Sequence, residues 1–131
     1  MKVLKIEELK EGGFYKVNQI IINGTPKIFF AKEDPQYFHR DILRDILESN
    51  GLPYLSVRVF NGNRGPSILG EGYEVMGMGG ARVLADKHIL LFGHSFDYSV
   101  DISDEHAERL RQEEYPDWEF TVTHTPVGET L

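Results

Sequence analysis

Apolar residues follow two different periods along this chain, and the switches between them set out an order of elements. Residues 14–23, FYKVNQIIIN, are rich in aromatic and β-branched side chains and predict a strand. Asn23-Gly24 follows, a pair that tolerates positive φ and so closes hairpins. KIFFA (27–31) predicts the returning strand, with Pro26 at its start, where a missing N–H costs least. The period then changes. Phe38, Ile42, Leu43, Ile46 and Leu47 recur at helical spacing, Arg40, Asp41, Arg44, Asp45 and Glu48 take the other face, and Asn50-Gly51 is a stop signal. Two starts fit this helix. Asp34-Pro35 as N-cap and N1 would place His39 inside it; a start nearer residue 39 leaves His39 at its mouth.

Beyond residue 51 the pattern returns to strands. LSVRVF (55–60) alternates in polarity, and NGNRGPS (61–67) predicts a loop. GYEVMG (72–77) and ARVLA (81–85) are strand-like on either side of a glycine-rich patch at 77–80, and Asp86-Lys87 makes a turn. HILLFG (88–93) is nearly all apolar, as a central strand would be. HSFDYSVD (94–101) predicts a loop. ISDEHAERLRQEEY (102–115) predicts a second helix, acidic at its N-terminal end as the helix dipole prefers, and Pro116 ends it. DWEFTVTH (117–124) predicts a closing strand before a polar tail. This order predicts an α+β fold: one small domain over residues 1–131, with a mixed β-sheet flanked by two helices.

Composition narrows the function classes. The chain has 131 residues, the length of a single domain. Fourteen basic and twenty-one acidic residues give a formal charge of −7, which argues against nucleic-acid and anionic-membrane binding. No cysteine is present, which excludes disulfides, thiolate metal sites and a cysteine nucleophile. MKVLKIEELK alternates charge with apolar residues and is not a signal peptide, so the expectation is a cytoplasmic, soluble protein.

Candidate chemistry is sparse. Gly77, Gly79 and Gly80 do not form a nucleotide-binding motif, because no GK[ST] follows; a strand bend or close backbone approach explains them. The five histidines have no HxH or HxxxH pairing, so no metal and no cofactor is expected. GHSFDYSVD (93–101) leaves a strand through Gly93 into a hydroxyl-bearing loop. Such a turn forms either an anion-binding nest, with Ser95 adding a donor, or a plain strand-to-helix connection. His39 has Ile42, Leu43 and Ile46 at i+3, i+4 and i+7. That spacing favours a histidine at the core edge over an imidazole at a helix mouth available as base or nucleophile. Lys16 reads as an ordinary strand lysine.

Taken together, these stretches resemble the Janus/Ocnus family of phosphohistidine phosphatase-like proteins. DKHILLFGHSFDYS, a helix and then YPDWEFTV follow the family order; MGMGGARV resembles its glycine-rich segment. YFHRDIL resembles the stretch with the catalytic histidine, and GFYKVN the strand with a phosphate-binding lysine. The resemblance implies His39 as catalytic residue, with Lys16, Ser95 and the backbone N–H groups of Arg40 and Asp97 as the phosphate cradle, and Arg82 as a further substrate contact. Residues 52–70 are longer than in the family. Arg40 and Asp97 both replace small residues; a carboxylate at 97 would repel a bound phosphate, so either it turns outward or the site has changed use. His94 replaces an aromatic residue.

The implied reaction is metal-independent hydrolysis of a phosphoramidate bond, on a phosphorylated protein or a small phosphoramidate, with no nucleic-acid or membrane partner. His39 would act as general base or as nucleophile. A non-catalytic phosphate- or phosphoprotein-binding module on the same fold is the alternative; a self-complementary edge formed by 52–70 would instead favour an oligomerisation domain.

Overall fold

Asn23 and Gly24 both take positive φ, 52° and 79°, and Ile22 pairs with Thr25, so a two-residue turn joins the first two strands. These strands belong to a computed structural model that describes residues 3–59 and 62–124. The polar tail, residues 125–131, and positions 60–61 lie outside the described residues.

Among the described residues the main sheet has five strands: β1 (Phe14–Ile22), β2 (Thr25–Lys32), β5 (Glu74–Leu84), β6 (His88–Phe92) and β9 (Glu119–Thr123). Their spatial order is β2-β1-β5-β6-β9, antiparallel throughout except that β6 and β9 run parallel. The sheet is therefore mixed, as its sequence predicts. The parallel pair needs a crossover, and α2 (Asp104–Glu113) supplies it.

The two helices cover opposite faces. Tyr15 and Val17 of β1, Ile28 and Phe30 of β2, Ala81 and Val83 of β5, and Ile89 and Leu91 of β6 pack with Ala107 and Leu110 of α2. Ile20, Ala31 and Met78 point the other way and pack with Ile42, Leu43, Ile46 and Leu47 of α1 (His39–Ser49). All four of these α1 side chains are fully buried, each worth roughly 1.5–3 kcal/mol relative to exposure. The fold is α+β, a mixed sheet between two helices.

Three local expectations change. NGNRGPS is not all loop: β4 (Arg64–Ile68) runs through it and pairs antiparallel with β3 (Tyr54–Arg58) in a separate two-stranded sheet. Pro66 is tolerated because that sheet has only edges. Within 94–101, β7 (His94–Ser95) pairs with β8 (Val100–Asp101). The glycine-rich patch at 77–80 does not interrupt a strand, since β5 runs unbroken across it. Its glycines serve close approach. At Gly77 a Cβ would overlap Gln19 Oε1 and stand 2.7 Å from Asp101 O and 2.8 Å from Ser103 N.

That space is occupied by a buried clasp. Gln19 Nε2 donates to Ser103 O at 3.0 Å, and Ser103 N donates back to Gln19 Oε1 at 2.7 Å. Ser103 is the N-cap of α2, its Oγ accepting from His106 N at 3.1 Å. Further into α2, the fully buried His106 places Nε2 3.1 Å from Ile20 O. A carbonyl only accepts, so the neutral ring donates through Nε2.

Two predictions follow from this packing. Gly77→Ala forces a methyl into the Gln19–Ser103 clasp and should cost about 1–3 kcal/mol, read from a shifted urea midpoint. Burial, only partly offset by the carbonyls of Ile20 and Lys27, holds the His106 pKa below its usual value. The unfolded chain therefore binds that proton more readily than the folded one. Stability should be full above about pH 6.5 and fall as pH drops below it, until the folded imidazole is itself protonated. Urea midpoints at pH 8 and pH 5 should show this slope, and His106→Gln should reduce it.

Candidate active site

His39 stands at the first position of α1, which settles the choice of helix start. Asp34 and Pro35 form a tight turn instead of a cap: Tyr37 N donates to Asp34 O at 3.2 Å and Gln36 N to Asp34 Oδ1 at 2.7 Å. Phe38 is the N-cap in extended conformation, φ −85° and ψ 164°. A phenyl ring cannot cap, and the reciprocal half of the cap comes from Asp41, whose Oδ2 accepts from Phe38 N at 3.0 Å. The N–H groups of His39 and Arg40, the first two of the helix, have no acceptor among the described residues.

The imidazole reaches the centre of the sheet, with Nε2 2.9 Å from Gly79 O. In the neutral ring Nε2 therefore carries the hydrogen and Nδ1 keeps the lone pair. Burial lowers the His39 pKa most, against the Gly79 carbonyl, which raises it. Three charges also act: Lys16 and His94 lower it and Asp97 raises it. The ring is half-buried, and the shift favours its neutral form.

Lys16 reaches the same place from β1. Its Nζ donates to Asp34 O at 2.7 Å and Tyr37 O at 2.6 Å and lies 5.4 Å from the centre of the Phe38 ring. The ammonium thus holds the turn that precedes α1, with two of its three donors in use. Tyr37 is held at its other end by a hydrogen bond to Asp45 of α1.

Arg40 and Asp97 meet each other. Arg40 Nη1 donates to Asp97 Oδ1 at 2.8 Å, and the guanidinium sits 4.5 Å from the centre of the Phe38 ring. The Asp97 carboxylate does not turn outward: its side chain is 6% exposed, and its charge is met by Arg40. An outward carboxylate is the simplest way to avoid a phosphate, but an adjacent cation achieves the same by neutralisation.

Ser95 is fully buried. Its Oγ accepts from Tyr98 N at 3.3 Å and its carbonyl from Ser99 N at 2.8 Å, so its hydroxyl stabilises the loop from within. Arg82 is on the same sheet face as Lys16, stacked 5.2 Å from the centre of the Phe14 ring. It is not among the charges that act on His39. The structure thus gathers His39, Lys16, Arg40 and Asp97 and leaves Ser95 sealed and Arg82 to one side.

Two participants were given no site role by sequence. His94 acts on His39 from the exposed loop, and Phe38 carries both flanking cations. The F-H-R order was the only signal for Phe38: an aromatic beside an arginine offers a cation–π shelf. For His94 the only signal was that it replaces an aromatic residue of the resembled family.

Compared with known proteins, the chain matches no family model and no curated protein. No described helix is long and apolar enough to cross a membrane. Among the described residues no three metal-ligating side chains gather.

The His39 pKa is testable directly. Side-chain NMR titration should place it below about 6.5, the ordinary imidazole value. Lys16→Met removes a cation that disfavours protonation, so it should move the titration upward.

Proposed function

We propose that this protein is a metal-independent phosphatase of the Janus/Ocnus kind, hydrolysing phosphoramidate bonds such as phosphohistidine in a protein or a small phosphoramidate in the cytoplasm. The observation that carries the reading is the placement of His39: Nε2 lies against Gly79 O, which leaves the Nδ1 lone pair of the neutral ring uncommitted to that bond, and burial and the Lys16 ammonium both lower its pKa. A base must be neutral at working pH, and the nearby cation helps keep it so.

Phosphoryl transfer from nitrogen needs little covalent help from the protein. Charge spreads over the phosphoryl oxygens in the transition state, so positioning and electrostatics supply most of the catalysis. Lys16 and the first N–H groups of α1 offer positive potential on one side of His39. Nδ1 then either takes a proton from water as it attacks phosphorus or attacks phosphorus itself. In the second case the P–N bond of the substrate breaks, a phosphoryl-His39 forms, and water hydrolyses it.

The second reading is a phosphate- or phosphoprotein-binding module without turnover. It is favoured by two observations: Lys16 already serves two carbonyls, and Ser95 presents no exposed atom. Both make the anion site smaller than a full cradle.

An assay on a phosphohistidine substrate with EDTA present separates the two readings. Turnover by wild type and a loss of about 10²–10⁴-fold in His39→Ala, with unchanged circular dichroism, supports the phosphatase. Full activity in His39→Ala removes it. Lys16→Ala should weaken phosphate binding about tenfold, equivalent to ~1.4 kcal/mol; unchanged affinity would take Lys16 out of the site.

A further inference from the structure

The segment 52–70 places its hairpin against the candidate site. Gly65 and Pro66 of β4 are buried. A Cβ on Gly65 would stand 2.8 Å from Tyr98 Oη, 3.0 Å from Val59 Cγ1 and 3.1 Å from Arg40 Cβ. Tyr98 Oη donates to Pro66 O at 2.8 Å. The β4 backbone therefore rests on two side chains at once, one from the first turn of α1 and one from the 94–98 loop.

The same two elements are joined by the Arg40–Asp97 ion pair, with side chains only 18% and 6% exposed. Charges so withdrawn from water are tolerated while both partners are present, and removing one leaves the other uncompensated. Arg40 has a second anchor on the Phe38 ring, and Phe38 is the residue that leads the chain into α1. The guanidinium is thereby held in place from two sides.

Few charges face His39. Lys16 approaches from β1, His94 and Asp97 from the 94–98 loop, and Arg40 projects from its own helix onto Asp97. Asp97 is the one carboxylate in this set. A phosphoryl group arriving at His39 would be attracted by Lys16 and repelled by Asp97, except that Arg40 meets the carboxylate first.

We infer that the Arg40–Asp97 pair, covered by the β3–β4 hairpin, is a positioning and charge-masking device. It pins the 94–98 loop to the first turn of α1 and cancels a carboxylate that would otherwise repel an anion beside His39. Arg40 and Asp97 are positioning residues in this assignment. For its role in turnover the device rests on the phosphatase reading above; its effect on His39 and on anion affinity is readable without turnover.

The test compares wild type with Arg40→Met, which keeps a stem over Phe38 and loses the charge, with Asp97→Asn, and with the double variant. Three quantities are read: the His39 pKa by NMR, the affinity for inorganic phosphate by calorimetry, and KM and kcat on a phosphoramidate. Arg40→Met is expected to raise the His39 pKa and to weaken phosphate binding about tenfold, with KM moving more than kcat. Adding Asp97→Asn should return pKa and phosphate affinity close to wild type, and Asp97→Asn alone should tighten phosphate binding. A purely structural pair would leave the double variant no better than Arg40→Met, and that result overturns the inference. So does an Arg40→Met protein with wild-type pKa and affinity. If Arg40→Met fails to fold, Asp97→Asn decides: unchanged or weaker phosphate binding in it counts against the masking role. Wild type without turnover would refute the phosphatase reading alone, leaving the pKa and binding measurements to judge the ion pair.

Discussion

The bare backbone at the middle of β5 is the constraint on which the rest of the molecule leans. Gly77 leaves room for the Gln19 amide, which clasps the Ser103 peptide and sets the start of α2. Gly79 lets the strand-exit backbone at Phe92–Gly93 and the Ile102 side chain lie against β5, and its carbonyl holds the His39 ring. On the other face, Gly80 accommodates the Phe92 ring, 3.1 Å from where a Cβ would be. The close approaches at Gly77, Gly79 and Gly80 thus depend on the absence of side chains. A sheet centre with ordinary residues would hold the α2 crossover farther away.

Electrostatics at the site run against those of the whole chain. The protein carries a formal charge of −7, yet the groups around His39 are two cations, Lys16 and Arg40, one carboxylate and a second imidazole. Arg40 and Asp97 cancel locally, which leaves Lys16 and the N-terminal end of α1 as the net positive field. Net charge describes the long-range field that steers partners; a half-buried site is governed by the few charges that share its low dielectric.

Legibility was uneven, for physical reasons. The Asn23-Gly24 hairpin and the apolar stripe of α1 were readable because each is decided by neighbours in sequence, through φ tolerance and a 3.6-residue period. β4 was not, since Gly65 and Pro66 are turn residues by local preference and became strand only because β3 and the Arg40–Tyr98 surface were there to receive them. His39 sits on the apolar side of its helix by spacing, as the pattern requires. Because α1 begins at His39, however, that side at its first turn faces the Gly79 carbonyl and not the core. Ser95 carries the opposite lesson: a hydroxyl in a polar loop reads as exposed, and here it caps its own turn from inside.

By itself, the sequence determined the order of elements, the α+β class, the two amphipathic helices and the absence of any cysteine chemistry. These depend on local periodicity and composition, which one chain displays in full. Tertiary structure alone decided that Lys16 binds the turn before α1, that Asp97 is held by Arg40 and that the His39 ring meets the Gly79 carbonyl. Each of those is a contact between residues far apart in the chain, from 18 positions for Lys16 and Asp34 to 57 for Arg40 and Asp97. Such pairs form only after the sheet has brought its strands together, and no local rule anticipates them.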